Sequence, residues 1–258
     1  MVTEDEVEIH TSDGLVLRGR WHRSVSPETT VVIAHGFSAG RNEPAVAALA
    51  QDLLEARCDV LTYDARGHGA SEGRSGVGST EHRDVASAAS LAAGEGRPVV
   101  LIGVSMGAVA VVSHLATAGV DAGPVVGAVL VSGPARWGMR PSPIGVLMAA
   151  LTKGPVGRWV AERYLKVRIA RRWRTGEDPA AAMRRVDVPV AVVHGTSDRL
   201  LAVAHGHLLH EAAAGPSRLQ LVEGMAHGID RACRAATFDA VEWVLEEAAS
   251  RTLSPALV

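Results

Sequence analysis

Short runs of Val, Ile and Leu alternate along this chain with longer helical patterns, and this alternation limits the fold more than any other feature of the sequence. The runs lack the strict polar alternation that is typical of a sheet with one face in water. They therefore predict a mostly parallel, doubly wound α/β sheet with helices on both faces. Eight runs have the length and composition of strands, at residues 7–11, 15–22, 29–35, 59–65, 98–105, 126–133, 188–195 and 217–224.

The connections between the runs predict how the sheet is wound. Residues 11–14, "TSDG", have the composition of a hairpin turn, so the sheet is expected to begin antiparallel. Helical patterns at about 44–56, 79–93 and 106–118 predict right-handed crossovers between parallel strands. The last residues, "RTLSPALV", are typical of a frayed end.

The strand pattern stops between Pro134 and Val186, where helical stretches are interrupted by "RPSP" and "KGP". A chain of 258 residues with 47% hydrophobic content fits one α/β core that carries an insertion. We therefore expect residues 1–133 and 187–258 to form the α/β core and residues 134–186, the cap segment, to form a small helical cap.

Composition argues against several classes of function. A formal net charge of −2 gives no reason to expect nucleic acid as a partner. Cys58 and Cys233 are far apart and outside any CxxC motif, so neither a disulfide framework nor a cysteine metal site is expected. The start, "MVTEDEVEIH", lacks the basic-then-apolar order of a signal peptide, and no apolar run has the length of a transmembrane segment. These features predict a cytoplasmic protein.

The pattern GxSxG occurs twice, around Ser38 and around Ser105. This pattern holds a nucleophilic serine when a strand ends directly before the serine and a helix begins directly after it. Ser105 follows "PVVLIGV" and precedes "MGAVAVVSHLA", whereas Ser38 is followed by several loop-forming residues. We therefore expect Ser105 to be a nucleophile and Ser38 to lie in a loop, bonded to backbone or in contact with substrate.

A serine nucleophile needs a histidine that accepts its proton and an acid that orients the histidine. Asp198 follows the run that ends at residue 195, and His227 follows the next run. Loops at the carboxyl ends of parallel strands face one crevice, so both side chains are expected beside Ser105. The sequence thus predicts a Ser105, His227 and Asp198 triad, although Glu223 and Asp230 also lie close to His227 along the chain.

Acyl transfer also needs two N–H donors directed at the oxyanion. The amides of Met106, directly after the nucleophile, and of Phe37 in "HGF" are predicted to supply them. Such a triad needs neither metal nor cofactor, and none is expected. In "HGHLLH", His207 and His210 share a predicted helix face, but no carboxylate stands at ligand spacing.

Five motifs, "HGF", "YDARGHGAS", "GVSMG", "HGTSD" and "GMAHG", follow the order and spacing of the α/β-hydrolase superfamily, which the chain resembles over nearly its whole length. The chain is most similar to the small-capped branch of monoacylglycerol-lipase-like and serine-aminopeptidase-like enzymes. The resemblance implies an eight-stranded α/β-hydrolase fold and serine hydrolase chemistry. It also implies that Asp64, Arg66 and His68 brace neighbouring loops.

The cap segment is strongly basic, with twelve Lys and Arg residues against three acidic ones, while the rest of the chain is acidic. A solvated helical face is one interpretation. The other is an electropositive lid for an anionic substrate, a coenzyme A thioester, an acidic carrier protein or an anionic lipid surface. Side chains expected to line the substrate pocket are those of Ser38, Trp137, Met139 and Leu147.

Together these features predict a serine hydrolase that cleaves a small-molecule carboxylic ester or thioester through an acyl-enzyme. Three alternatives stay open at this stage. They are a thioesterase for acyl-coenzyme A or acyl-carrier-protein substrates, a biosynthetic acyltransferase or cyclase with the same triad, and a ligand-binding protein without catalysis. Formation of a homodimer also stays open.

Overall fold

The computed structural model describes residues 3–118, 124–137 and 143–253. Eight strands form one sheet in the order β1-β2-β4-β3-β5-β6-β7-β8. The strands are β1 (Thr3–His10), β2 (Val16–Arg23), β3 (Thr29–Ala34), β4 (Cys58–Tyr63), β5 (Val99–Val104), β6 (Val125–Val131), β7 (Val190–Gly195) and β8 (Ser217–Val222). The helices are α1 (Pro44–Glu55), α2 (His82–Ala93), α3 (Met106–Ala118), α4 (Pro143–Lys153), α5 (Pro155–Tyr164), α6 (Pro179–Met183), α7 (Ala204–Ala212) and α8 (Arg231–Leu253).

The pairing of the strands confirms the predicted mixed, mostly parallel sheet. Strand β2 pairs antiparallel with β1 and with β4, and all other neighbours are parallel. The β1–β2 turn is closed by the Gly14 amide, which donates to the Thr11 carbonyl over 3.0 Å. Gly14 has φ of +83°, a conformation that a residue without a side chain adopts at little cost.

The start of β1 and the end of α8 differ from the sequence prediction. Strand β1 begins at Thr3 rather than at residue 7. Its exposed acidic residues pair with basic residues of β2 instead of burying apolar surface. Glu6, for example, accepts a 2.9 Å hydrogen bond from Arg20. At the other end, residues 251–253 belong to α8, and the rest of the predicted frayed end, residues 254–258, lies outside the described residues. There Arg251 bonds to Asp187 over 3.1 Å.

The sheet separates two apolar layers, as expected for a doubly wound fold. In β5, Leu101 packs into the layer with α2 and α3, while Ile102 packs into the layer with α1 and α8. All six β5 residues are buried, which explains why the strand is apolar throughout instead of alternating. The carboxyl ends of the central strands therefore form one rigid edge, to which loops can attach functional side chains.

Helices α4, α5 and α6 lie between β6 and β7, within the segment that we propose as a cap. Helix α6 packs against α3 and α7, while an extended stretch at 167–170 bonds to the loop after β4. Among the described residues, no helix is both long and apolar enough to cross a membrane.

Candidate active site

Ser105 occupies the single residue between the end of β5 and the start of α3. Its φ is +52°, in the left-handed region that costs a residue with a side chain roughly 1–3 kcal/mol. The Ser105 amide donates to the Val131 carbonyl over 2.9 Å, which ties the turn to β6. A strained serine at this place lies at the amino end of a helix, whose dipole favours developing negative charge.

Two glycines permit this turn because neighbouring backbone lies where their side chains would be. A Cβ on Gly103 would stand 2.6 Å from the Ala108 Cα, and one on Gly107 would stand 2.0 Å from the Ala34 carbonyl oxygen. Both separations are shorter than a non-bonded carbon allows. The glycines of "GVSMG" are therefore required by close packing of α3 against β5 and the end of β3.

The loops after β7 and β8 bring Asp198 and His227 to Ser105. His227 Nε2 lies 2.9 Å from Ser105 Oγ, and His227 Nδ1 lies 2.8 Å from Asp198 Oδ2. The other carboxylate oxygen of Asp198 accepts the amides of Leu200 and Leu201 over 2.9 and 2.8 Å. The three predicted side chains thus form one hydrogen-bonded chain, although they are widely separated in sequence.

The environment of Asp198 keeps its carboxylate charged. Its side chain is fully buried, and burial alone raises the pKa of a carboxyl group. Hydrogen bonds from His227 and from the Leu201 and Leu200 amides outweigh that effect, so the pKa of Asp198 lies below its usual value. A charged acceptor at Nδ1 favours the tautomer of His227 whose Nε2 accepts a proton from Ser105.

The two other acids near His227 in the sequence lie elsewhere. Asp230 accepts the Ala226 amide over 3.1 Å and the Cys233 amide over 2.8 Å, so it holds the loop and the start of α8. Glu223 is exposed. Asp198 is therefore the acid that the fold brings to His227.

The residues His194 and Ser132 support the site and were missed by sequence reasoning. His194 is fully buried, its Nε2 donates to the Leu201 carbonyl over 3.1 Å, and the same nitrogen lies 3.6 Å from Asp198 Oδ2. Ser132, with φ of +48°, accepts the Gly228 amide over 3.2 Å, next to His227. Their signal in the sequence was a polar residue at the end of an apolar strand.

The loop that contains Phe37 lies against Ser105. A Cβ on Gly36 would stand 3.4 Å from the Ser105 Cβ, so the backbone of "HGF" passes directly beside the serine. The Phe37 side chain is half-buried, with its ring 6.0 Å from the His68 ring in an edge-to-face arrangement. Met106, the first residue of α3, is buried.

His35 determines the course of this loop. Its Nε2 accepts the Ala65 amide over 2.9 Å, and its Nδ1 donates to the Gly36 carbonyl over 2.7 Å. Burial lowers the pKa of His35 to about 4, so the ring is neutral near pH 7 and both nitrogens keep these roles. The loop beside Ser105 is therefore held by a fixed imidazole.

Asp64 and Arg66, in the loop after β4, make contacts of the bracing kind that the resemblance implied, whereas His68 Nδ1 donates to the Arg66 carbonyl over 3.1 Å within the same loop. Asp64 accepts the Arg41 and Ala70 amides over 2.9 and 3.2 Å. Arg66 donates to the buried carboxylate of Asp84 over 2.8 Å and reaches the hairpin turn at Asp13. These contacts connect the loop to the loop after β3, to α2 and to the β1–β2 turn.

The predicted pocket residues are spread over different parts of the structure. Ser38 is exposed in the loop after β3, with φ of +63°. Trp137 is half-buried, and its indole N–H donates to the Glu177 carbonyl over 2.7 Å. Met139 lies outside the described residues, and so does the side chain of Leu147, a residue of α4.

Two histidines of "HGHLLH" take part in hydrogen bonds. His205 Nδ1 accepts the Ala135 amide over 3.0 Å, and His210 Nδ1 lies 2.9 Å from Ser217 Oγ. Within the part of the chain that the structure describes, no three His, Cys, Asp or Glu residues are grouped as a metal site would require.

The sheet has eight strands and is mostly parallel, with a serine on the turn after β5. A buried aspartate and a histidine lie on the loops after β7 and β8. This combination defines the α/β-hydrolase class of folds. The sequence agrees, because the family model described as alpha/beta hydrolase family matches residues 31–241. The chain belongs to this family.

Solved structures with the same fold include several esterases. The esterase Pf2001 of Pyrococcus furiosus is 20% identical, with a TM-score of 0.68 over 97% of this chain and 92% of that one. The esterase EaEST of Exiguobacterium antarcticum is 20% identical, with a TM-score of 0.70 over 93% and 99%. The esterase RhEst1 of Rhodococcus sp. ECU1013 is 22% identical, with a TM-score of 0.66 over 94% and 99%. No curated protein sequence matches the chain.

Proposed function

We propose that this protein is a serine hydrolase that cleaves carboxylic esters through an acyl-enzyme. The observation that carries the proposal is the unbroken hydrogen-bonded chain from Ser105 Oγ through both nitrogens of His227 to Asp198. The strained turn at Ser105 supports it, because such a conformation persists only where surrounding structure enforces it. Three proteins with the same fold are described as esterases, which agrees with the proposal.

In this mechanism Ser105 Oγ attacks the acyl carbon while His227 Nε2 takes the hydroxyl proton. Asp198 stabilises the imidazolium that forms and does not itself accept the proton. The tetrahedral intermediate then expels the alcohol, which leaves with the proton from His227. A water molecule, activated by the same nitrogen, attacks the acyl-enzyme and releases the acid and free Ser105.

The amides of Phe37 and Met106 are the proposed oxyanion donors. Two close approaches support this assignment, since a Cβ on Gly36 would touch Ser105 and one on Gly107 would overlap the end of β3. The two amides therefore belong to backbone segments that are packed together beside Ser105. Donors held in advance in this way stabilise the developing charge without reorganisation during the reaction.

We propose residues 134–186 as a cap over this site, as in the small-capped branch that the motifs resemble. Ser38, Trp137, Met139 and Leu147 remain the proposed pocket residues. The described contacts of Trp137 are consistent with a lid connection, because its backbone amide donates to Asp178 over 2.7 Å at the start of α6.

The test is labelling with a fluorophosphonate probe, followed by intact mass spectrometry, together with hydrolysis of p-nitrophenyl butyrate. We expect one adduct and ester turnover in the native protein and in Ser38→Ala, and neither in Ser105→Ala. Ser38 is the comparison residue because it lies in the other GxSxG motif; as a proposed pocket residue it is expected to change KM at most, and loss of the adduct is expected only in Ser105→Ala. Turnover that survives in Ser105→Ala would contradict the proposed function.

A further inference from the structure

Four cations of the cap segment surround one cavity of about 510 Å³ at the protein surface. They are Lys153 at the end of α4 and Arg171, Arg172 and Arg174, which flank Trp173 in the stretch between α5 and α6. The volume lies within the range of small-molecule sites, roughly 300–1,000 Å³. We call this feature the basic cavity.

The charge of the basic cavity is uncompensated within the described residues. Among the residues that the structure describes, no acidic residue lines the cavity, and none of its four cations forms an ion pair. Arg185, also in the cap segment, is different, because it pairs with Glu177. Several like charges around one cavity create a positive potential that favours a bound anion.

Backbone hydrogen bonds attach the basic cavity to the proposed catalytic site. The Arg168 amide donates to the Gly67 carbonyl over 2.7 Å, and the Ala170 amide donates to the Ser75 carbonyl over 2.9 Å. Ser75 Oγ in turn lies 3.9 Å from Met106 Sδ. Arg171 therefore follows a stretch of chain that is fixed beside one proposed oxyanion residue.

Apolar packing links the cavity to the other proposed oxyanion residue. Trp173 packs against a small cluster formed by Ala161, Val167 and Ile169, and Phe37 packs against the same cluster. All three cluster residues are fully buried or nearly so. The basic cavity and the catalytic loop thus share one apolar support.

We infer that the basic cavity binds the phosphate groups of a substrate's leaving group, so that the protein prefers acyl esters or thioesters of phosphorylated alcohols or thiols. This inference rests on the proposed function. Guanidinium groups match phosphate oxygens in bidentate geometry, and the indole of Trp173 offers an apolar face to the rest of the leaving group. Only the acyl bond breaks; the leaving oxygen or sulfur takes its proton from His227, and the phosphates stay intact.

Binding is tested by calorimetric titration with inorganic pyrophosphate at low ionic strength. The cavity variant combines Arg171→Gln, Arg172→Gln and Arg174→Gln, all at exposed positions. The control variant combines Arg163→Gln, Lys166→Gln and Arg184→Gln, which remove equal charge from exposed positions of the cap segment outside the cavity lining. We expect binding to weaken about 10-fold or more in the cavity variant alone. Absent binding in the native protein, or equal weakening in both variants, would overturn the inference.

Kinetics distinguish two sources of phosphate. We expect kcat/KM for butyryl-coenzyme A or for 1-acylglycerol 3-phosphate to fall about 10-fold or more in the cavity variant, while that for neutral p-nitrophenyl butyrate stays unchanged. The substrate that is affected identifies the leaving group as a nucleotide-bearing thiol or a glycerophosphate. Unchanged values for both would overturn the inference and leave the proposed function standing. Ester turnover by Ser105→Ala would instead overturn the proposed function, and the pyrophosphate titration would still report on the cavity.

Discussion

Replacing Gly107 with Ala tests how strictly the turn at Ser105 depends on close packing. The added Cβ would stand 2.0 Å from the Ala34 carbonyl oxygen, 2.6 Å from its carbonyl carbon and 2.9 Å from the His35 carbonyl oxygen. All three atoms are backbone, so no side chain can rotate away to make room. The start of α3 must move by at least about 1 Å from the end of β3 before these separations become ordinary.

This displacement should reduce both stability and catalysis. Forcing an extra carbon into a packed interior costs about 1–3 kcal/mol of unfolding free energy, which lowers Tm by about 2–4 °C per kcal/mol in a chain of this size. A 1 Å change in the position of catalytic groups lowers the rate by about 100-fold. We therefore expect Gly107→Ala to lose most of its kcat while it still folds.

The assay compares kcat for p-nitrophenyl butyrate and Tm among the native protein, Gly107→Ala and Gly176→Ala. Gly176 is a matched control because nothing lies within 4 Å of its added Cβ and its φ is not positive. We expect Gly176→Ala to behave as the native protein does. Native kcat and Tm in Gly107→Ala would refute the argument that backbone packing of α3 against β3 positions the site.

Asp198→Asn should lower kcat by about 10⁴-fold with little change in fold, because the neutral amide favours the tautomer of His227 that cannot accept the proton of Ser105. The control is Glu223→Gln, which changes an exposed acid nearby in sequence and should keep the native kcat. A small loss of kcat in Asp198→Asn would contradict the proposed triad. His35 should make stability depend on pH. Burial lowers the pKa of His35 in the folded state to about 4 from 6.5, so between these pH values the unfolded chain binds more protons than the folded one. The contribution of His35 to the free energy of unfolding is therefore present above pH 6.5 and is lost as the pH falls to 4. Urea unfolding at pH 7 and pH 4.5 should show a smaller decrease in His35→Gln than in the native protein, and equal decreases would contradict this account.

The strands were predicted correctly where the local composition determines the secondary structure, and they were missed where pairing with a distant strand determines it. Strand β5 is apolar at all six positions because both faces are covered, so its composition alone indicates a central strand. The first residues of β1 are acidic and exposed, and they become a strand only because Arg20 and its neighbours on β2 pair with them. When a segment forms a strand only because of its partner strand, its own composition gives little indication of that strand.

The sequence by itself determined the class of fold and which serine lies on a strand-to-helix turn. The apolar periodicity is a local property of the chain, and so are the two glycines around Ser105. Both can be recognised from the sequence without knowing which residues pack nearby. Only the tertiary structure decided that Asp198, rather than Glu223 or Asp230, bonds to His227, and that Lys153 meets three arginines of a later stretch at one cavity. These arrangements arise from contacts between residues far apart in the chain, and such contacts exist only after the sheet and its loops have assembled.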